Sequence, residues 1–114
     1  MKPILILFML TTLSANAQTS GYAPVNGLKM YYEIHGAGNI PLVLIHGGGS
    51  TIESSFGKLL PLLAQHGKII ALELQAHGRT SDRDAPESFE QDADDVAGLL
   101  ACPDHSCRPG CGHP

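Results

Sequence analysis

Cysteine is absent from residues 1–101 of this 114-residue chain; Cys102, Cys107 and Cys111 all fall in the last thirteen positions. The body of the molecule therefore owes nothing to disulfides, and an odd count outside the cytoplasm leaves one thiol unpaired. Charge is scarce as well, at 16% of residues against 43% hydrophobic. That balance excludes a disordered or collagen-like chain and fits one globular domain at most. No apolar run reaches the roughly 20 residues that a bilayer-spanning helix needs. The strongest run, Ile4 to Leu10, follows Met1-Lys2 and precedes the small-x-small triplet Ala15-Asn16-Ala17. Residues 1–17 are thus expected to be a signal peptide cut after Ala17, and the protein to be exported to the periplasm or secreted, with no stable membrane insertion. No cysteine stands near the cut, so a lipid-modified start is not indicated. Removal of Lys2 leaves six Lys and Arg against eleven Asp and Glu, a net charge of −5 with His neutral. A mildly acidic surface argues against nucleic acid as a partner.

What is present begins with Tyr22 to Val25, then Asn26-Gly27, then Leu28 to His35, where Leu28, Met30, Tyr32 and Ile34 alternate with Lys29, Tyr31, Glu33 and His35. Period-two alternation around Asn-Gly predicts a hairpin with a type I′ turn. Pro41 to Ile45 is a short continuous apolar run, which predicts a strand covered on both faces in a parallel sheet. Phe56, Leu59, Leu60, Leu62 and Leu63 form a helical stripe ending at Gly67, the expected left-handed stop, with Pro61 either kinking the helix or marking its start. Lys68 to Leu74 is a second strand, so residues 41–74 read as strand, helix, strand with a right-handed crossover and a parallel pair. A polar loop covers Gln75 to Glu87. Ser88 and Gln91 form a capping box for a helix whose Phe89, Ala93, Val96 and Leu100 face one side. No internal repeat is visible. After Leu100 the pattern stops: residues 102–114, "CPDHSCRPGCGHP", contain no aliphatic side chain and can be neither strand nor core helix.

This order resembles the first half of the α/β-hydrolase fold across residues 22–100: a hairpin, a buried strand ending in His46-Gly47-Gly48-Gly49, a helix, and a strand followed by "ELQAHGRTSDRD". The resemblance implies an α/β fold with a partial α/β-hydrolase sheet, the N-terminal hairpin plus a parallel strand-helix-strand unit, and an irregular C-terminal tail. Residues 18–101 would be the N-terminal part of the domain. In acyl transfer, negative charge grows on the carbonyl oxygen, and a backbone N–H aimed at it stabilises it by roughly 2.7–4 kcal/mol. Glycines let the main chain come close. By resemblance Gly48 is the candidate oxyanion donor and Gly49 shapes the turn, whereas His46 is structural and not a base. Gly47, His77 and Gly78 are likewise assigned to loop structure. Two plainer readings compete, a tight strand-to-helix turn and an anion held at a helix N-terminus; no Gly-Lys-Ser/Thr follows, which argues against a P-loop. Glu73, Ala76 and Thr80 stand where the family commonly has Asp, Gly and Ser. Asp82, Arg83 and Asp84 are expected to knit their own loop by charge pairs, without a catalytic role.

The family's G-x-S-x-G elbow is missing. Ser50 lacks the second glycine, and Ser54, Ser55 and Ser88 sit at helix starts. The expectation is therefore an N-terminal fragment of an exported hydrolase, whose full-length relatives cleave ester, amide or related bonds of small molecules by a Ser-His-acid mechanism without a cofactor. The tail is read as an out-of-frame or prematurely ended stretch. Two other readings are that Pro109 to His113 joins from a distant part of the gene, making His113 a remnant of the triad, or that Cys102, His105, Cys107, Cys111 and His113 bind zinc. The zinc spacing does not match paired knuckles, and no metal is assigned. A secreted non-enzymatic binding module is the remaining class. If the strand at Pro41 to Ile45 lacks its outer neighbour, the exposed edge is expected to cause self-association.

Overall fold

The computed structural model describes residues 18–102, so the tail from Pro103, with His105, Cys107, Cys111 and His113, and the leader 1–17 lie outside the described residues. Strands β1 (Thr19–Val25) and β2 (Leu28–His35) pair antiparallel from Thr19 opposite Ile34 to Val25 opposite Leu28. Asn26 and Gly27 have φ of 47° and 81°, the two left-handed residues that a type I′ turn requires. β1 starts at Thr19, earlier than Tyr22, because β2 offers it partners as far as Ile34. The alternation on β2 predicts only half of its burial. Leu28, Met30 and Tyr32 enter one core cluster, but Tyr31 and Glu33 are also buried, since the opposite face is covered as well.

β3 (Leu42–Ile45) runs parallel to β4 (Ile69–Leu72), and β4 also pairs antiparallel with β2, giving the order β1-β2-β4-β3. β4 is central and wholly buried. The expectation that β3 is covered on both faces is not met: Leu42 and Ile45 are each 49% exposed, because among the described residues β3 forms the edge of the sheet. Apolar continuity in sequence reports affinity for a core, and position in the sheet decides whether that affinity is satisfied.

The single helical stripe is two short helices, α1 (Ile52–Phe56) and α2 (Leu60–Leu63). Thr51 caps α1 by accepting the Ser54 N–H, and the Ser54 hydroxyl accepts the Thr51 N–H in return. Pro61 lies in the first turn of α2, where its missing N–H costs nothing, so it marks a start and makes no kink. Gly67 is not left-handed, contrary to expectation. α2 passes into right-handed Ala64 and tightens through Gln65 N–H to Leu62 O and His66 N–H to Leu63 O, at 3.3 and 3.0 Å.

α3 (Phe89–Leu100) opens with Ser88 accepting the Gln91 N–H at 3.1 Å. The expected box is only half made, because the Gln91 side chain turns forward to Asp95 at 3.0 Å. The face that docks is also different. Leu99 and Asp95 are fully buried, whereas Phe89 is 90% exposed. Asp95 decides the rotation of the helix: its carboxylate accepts from Asn26, Gln91 and Arg83, at 3.0, 3.0 and 2.6 Å, and tethers α3 to the hairpin turn. Arg83 thus pairs across the fold with Asp95 and not within its own loop, while Asp82 accepts the Gln75 side-chain amide and the Arg83 N–H, both at 2.8 Å. No helix among the described residues is long and apolar enough to cross a membrane.

Candidate functional site

β3 delivers His46 and the three glycines to its carboxyl end, and a second loop, after β4, meets them there. His46 is buried; its Nδ1–H donates to the Gly47 carbonyl at 2.8 Å and its Nε2 accepts the Leu74 N–H at 3.0 Å. With both nitrogens engaged by backbone, the ring splices the glycine loop to the end of β4 and has no lone pair left for proton transfer. His77 repeats the device from the other side. Its Nδ1–H donates to Gln75 O at 2.7 Å and its Nε2 accepts the Gly49 N–H at 3.0 Å. The two rings lie 4.9 Å apart, tilted by 44°.

The three glycines then differ in what they do. Gly49 has φ +70°, the left-handed turn expected of it, and its N–H is consumed by His77. Gly48 N–H has no hydrogen-bond partner among the described residues. A Cβ at Gly47 or Gly48 would meet nothing within 4 Å, so neither glycine is required by packing inside the protein. Both face a groove of about 590 Å³ lined also by Ile45, Phe89, Val96 and Leu100. The apolar face of α3 that the sequence pattern singles out is the wall of this groove.

Beneath the loop, Glu73 is the hub. It is fully buried, and its carboxylate accepts the Ile52 N–H at 3.0 Å, the Arg79 N–H at 2.9 Å and the Arg79 Nε–H at 3.0 Å. Burial works to raise its pKa, but these hydrogen bonds and the Arg79 charge prevail and hold it below the usual carboxylate range. Gly78 is glycine for the same reason, since a Cβ there would sit 2.4 Å from the Glu73 carboxyl carbon. Thr80 completes the turn, donating to Glu73 O at 2.6 Å and accepting the Tyr31 N–H at 2.9 Å. Ala76, where glycine is usual in the resembled family, has φ +57°. An L-residue with a Cβ pays about 1 kcal/mol for that conformation. Ala76→Gly is accordingly expected to raise the unfolding free energy by about 1 kcal/mol, readable as a higher urea midpoint at unchanged slope.

One cluster escaped the sequence pattern. Glu33 is buried and accepts from the Tyr31 hydroxyl at 3.0 Å, pairs with His35 at 2.7 Å and lies 3.3 Å from Arg79, whose guanidinium sits 3.7 Å over the Tyr31 ring. Burial, above all, raises the Tyr31 pKa. Alternation alone placed Tyr31, Glu33 and His35 outward; nothing local in sequence announces that the turn after β4 covers them. The serine hydroxyls at helix starts are engaged, Ser54 accepting the Thr51 N–H and Ser88 the Gln91 N–H. Among the described residues no group of three or more His, Cys, Asp or Glu could hold a metal ion. His113 lies outside the described residues.

No family model matches the chain. Curated proteins similar to it include "2-hydroxy-6-oxo-6-(2'-aminophenyl)hexa-2,4-dienoic acid hydrolase" of Metapseudomonas resinovorans, 33% identical over 73 residues, covering 62% of this chain and 25% of that protein. "Proline iminopeptidase PfmaB" of Pestalotiopsis fici is 34% identical over 82 residues, covering 70% and 29%. Among solved structures, "Epoxide hydrolase CorEH without ligand" superposes with a TM-score of 0.68 at 30% identity, covering 74% of this chain and 29% of that one. The enol-lactonase from Burkholderia xenovorans gives 0.64 at 30% identity, covering 69% and 31%. The chain thus spans between 25% and 29% of the length of these curated relatives.

Proposed function

We propose, for a chain that carries part of the α/β-hydrolase fold, that it is the N-terminal portion of an exported hydrolase of small-molecule ester, amide or related bonds, and that it is inactive by itself. The observation that carries the reading is the division of labour at the glycine loop. Gly49 N–H is held by His77, Gly48 N–H has no partner among the described residues, and both glycines line the groove. A lone donor in that position suits a developing oxyanion, where it is worth about 3 kcal/mol. A tight turn needing glycine for its own sake accounts for Gly49 but not for Gly48, whose Cβ would meet nothing within 4 Å among the described residues.

Such a donor acts only after a nucleophile has attacked the carbonyl. No G-x-S-x-G elbow occurs in the sequence, and Gly48 offers one donor where an acyl-transfer site uses two. The test is turnover of p-nitrophenyl esters by material recovered from the exported fraction, whose intact mass should correspond to a start at Gln18. The expected result is no hydrolysis above the buffer rate for the parent, for Gly48→Pro or for His113→Ala. A clear activity in the parent that disappears in either variant would mean a complete site within this chain. An intact mass that retains Met1 would refute export by cleavage after Ala17.

A further inference from the structure

We propose that Asn26 is a site of spontaneous deamidation, and that its conversion to aspartate or isoaspartate releases α3 from the β1–β2 turn. Asn26 and Gly27 are both exposed at the tip of the hairpin. The reacting nitrogen is the Gly27 amide, which makes no hydrogen bond among the described residues. Beyond its chain neighbours, none of those residues comes within 4 Å of the place a Gly27 Cβ would take, so nothing there obstructs closure of a ring. The Gly27 nitrogen gives up its proton and attacks Asn26 Cγ; a C–N bond forms, and the Cγ–Nδ2 bond breaks with loss of ammonia. Water then opens the cyclic imide. Breaking its bond to Cγ leaves aspartate, and breaking its bond to the backbone carbonyl carbon leaves isoaspartate. No reactant besides water is required. Asn39, the other asparagine among the described residues, is exposed too, but it precedes Ile40, whose branched side chain crowds the nitrogen that would attack.

Asp95 ties this chemistry to the fold. The Nδ2 that leaves as ammonia is the atom that donates to Asp95 Oδ1 at 3.0 Å, from the hairpin turn to the middle of α3. Ring closure requires the Asn26 side chain to swing off that carboxylate and over its own backbone, so the hydrogen bond slows the reaction in the folded chain. The product reverses the interaction. An ionised aspartate at position 26 can only accept, and it sets a second carboxylate at hydrogen-bond distance from one that is fully buried. Arg83, 2.6 Å from Asp95, would then face two anions in place of one. Isoaspartate acts on the backbone as well, because it adds a methylene to a two-residue turn whose geometry is matched to the twist of its strands.

Purified chain stored at mildly alkaline pH should accumulate a more acidic form, and peptide mapping should place the change at Asn26 while Asn39 stays intact. Asp95→Ala should speed that change about tenfold, the factor carried by a hydrogen bond to an ionised acceptor. Should this variant fail to fold, the aged parent decides independently. In its separated acidic form, hydrogen exchange across residues 89–100 should quicken before exchange in β4 does. Asn26→Asp should also unfold at lower urea than Asn26→Gly, which keeps a residue at ease with positive φ and loses the amide without adding charge. Deamidation at Asn39 as fast as at Asn26 overturns the proposal. So does an acidic form whose α3 exchanges no faster than that of fresh chain, or an Asn26→Asp chain as stable as Asn26→Gly.

Discussion

Glu73→Ala is expected to lower the unfolding free energy by about 3 kcal/mol or more, the usual cost of removing one partner from a buried charged network. The carboxylate is fully buried and joins three parts of the chain: the end of β4, the first residue of α1 through Ile52 N–H, and the following turn through two donors of Arg79. Its loss strands those donors and opens a cavity below the glycine loop at the same time. The pH dependence separates the charge from the volume. Because the folded-state pKa is held below the usual carboxylate range, the stabilisation is fully present above the unfolded value of about 4.3 and is lost as pH falls through the lower folded value. Urea unfolding from neutral to acid pH should show the parent losing stability in that window, whereas Glu73→Gln, weaker at neutral pH, should lose less. Parallel acid limbs for the two proteins would refute a role for the ionised form.

Gly36→Ala is expected to be as damaging for a different reason. At φ +68° a Cβ would stand 2.1 Å from the Gly67 carbonyl oxygen and 2.7 Å from that of Ala64. Both obstacles are backbone, so neither can rotate away, and the turn after α2 would have to part from the end of β2. Overpacking of this kind costs about 1–3 kcal/mol, and the left-handed φ adds about 1–2. Gly27→Ala supplies the comparison. Its φ of +81° carries the conformational cost, but a Cβ there meets nothing within 4 Å. Thermal or urea unfolding should therefore rank Gly36→Ala well below Gly27→Ala. Equal losses would mean that strain, and not collision, is the whole effect.

The sequence by itself determined the elements whose causes are local. Asn26-Gly27 dictates a type I′ hairpin because both residues tolerate positive φ, and β2 starts and stops at the alternating run Leu28 to His35. Ser88 places the start of α3 by hydrogen bonding, whereas the Thr51 cap of α1 and the choice of Pro61 as a first-turn residue over a kink were decided by the fold. The structural assignment of His46 was likewise read from a local pattern, and its ring is held by the Gly47 carbonyl and the Leu74 N–H. Tertiary structure decided the rest, because the deciding contacts join residues far apart in sequence. Ile52 meets Glu73 across 21 positions and Asn26 meets Asp95 across 69. On α3, Asp95, held by three donors, and Leu99 take the buried face, and the stripe of Phe89, Ala93, Val96 and Leu100 became the wall of the groove. Likewise Pro41 to Ile45 has the composition of a buried strand. Exposure at Leu42 and Ile45 follows from strand order among the described residues, which no periodicity records, because hydrophobic pattern says which side chains seek cover and only the assembled sheet says which of them find it.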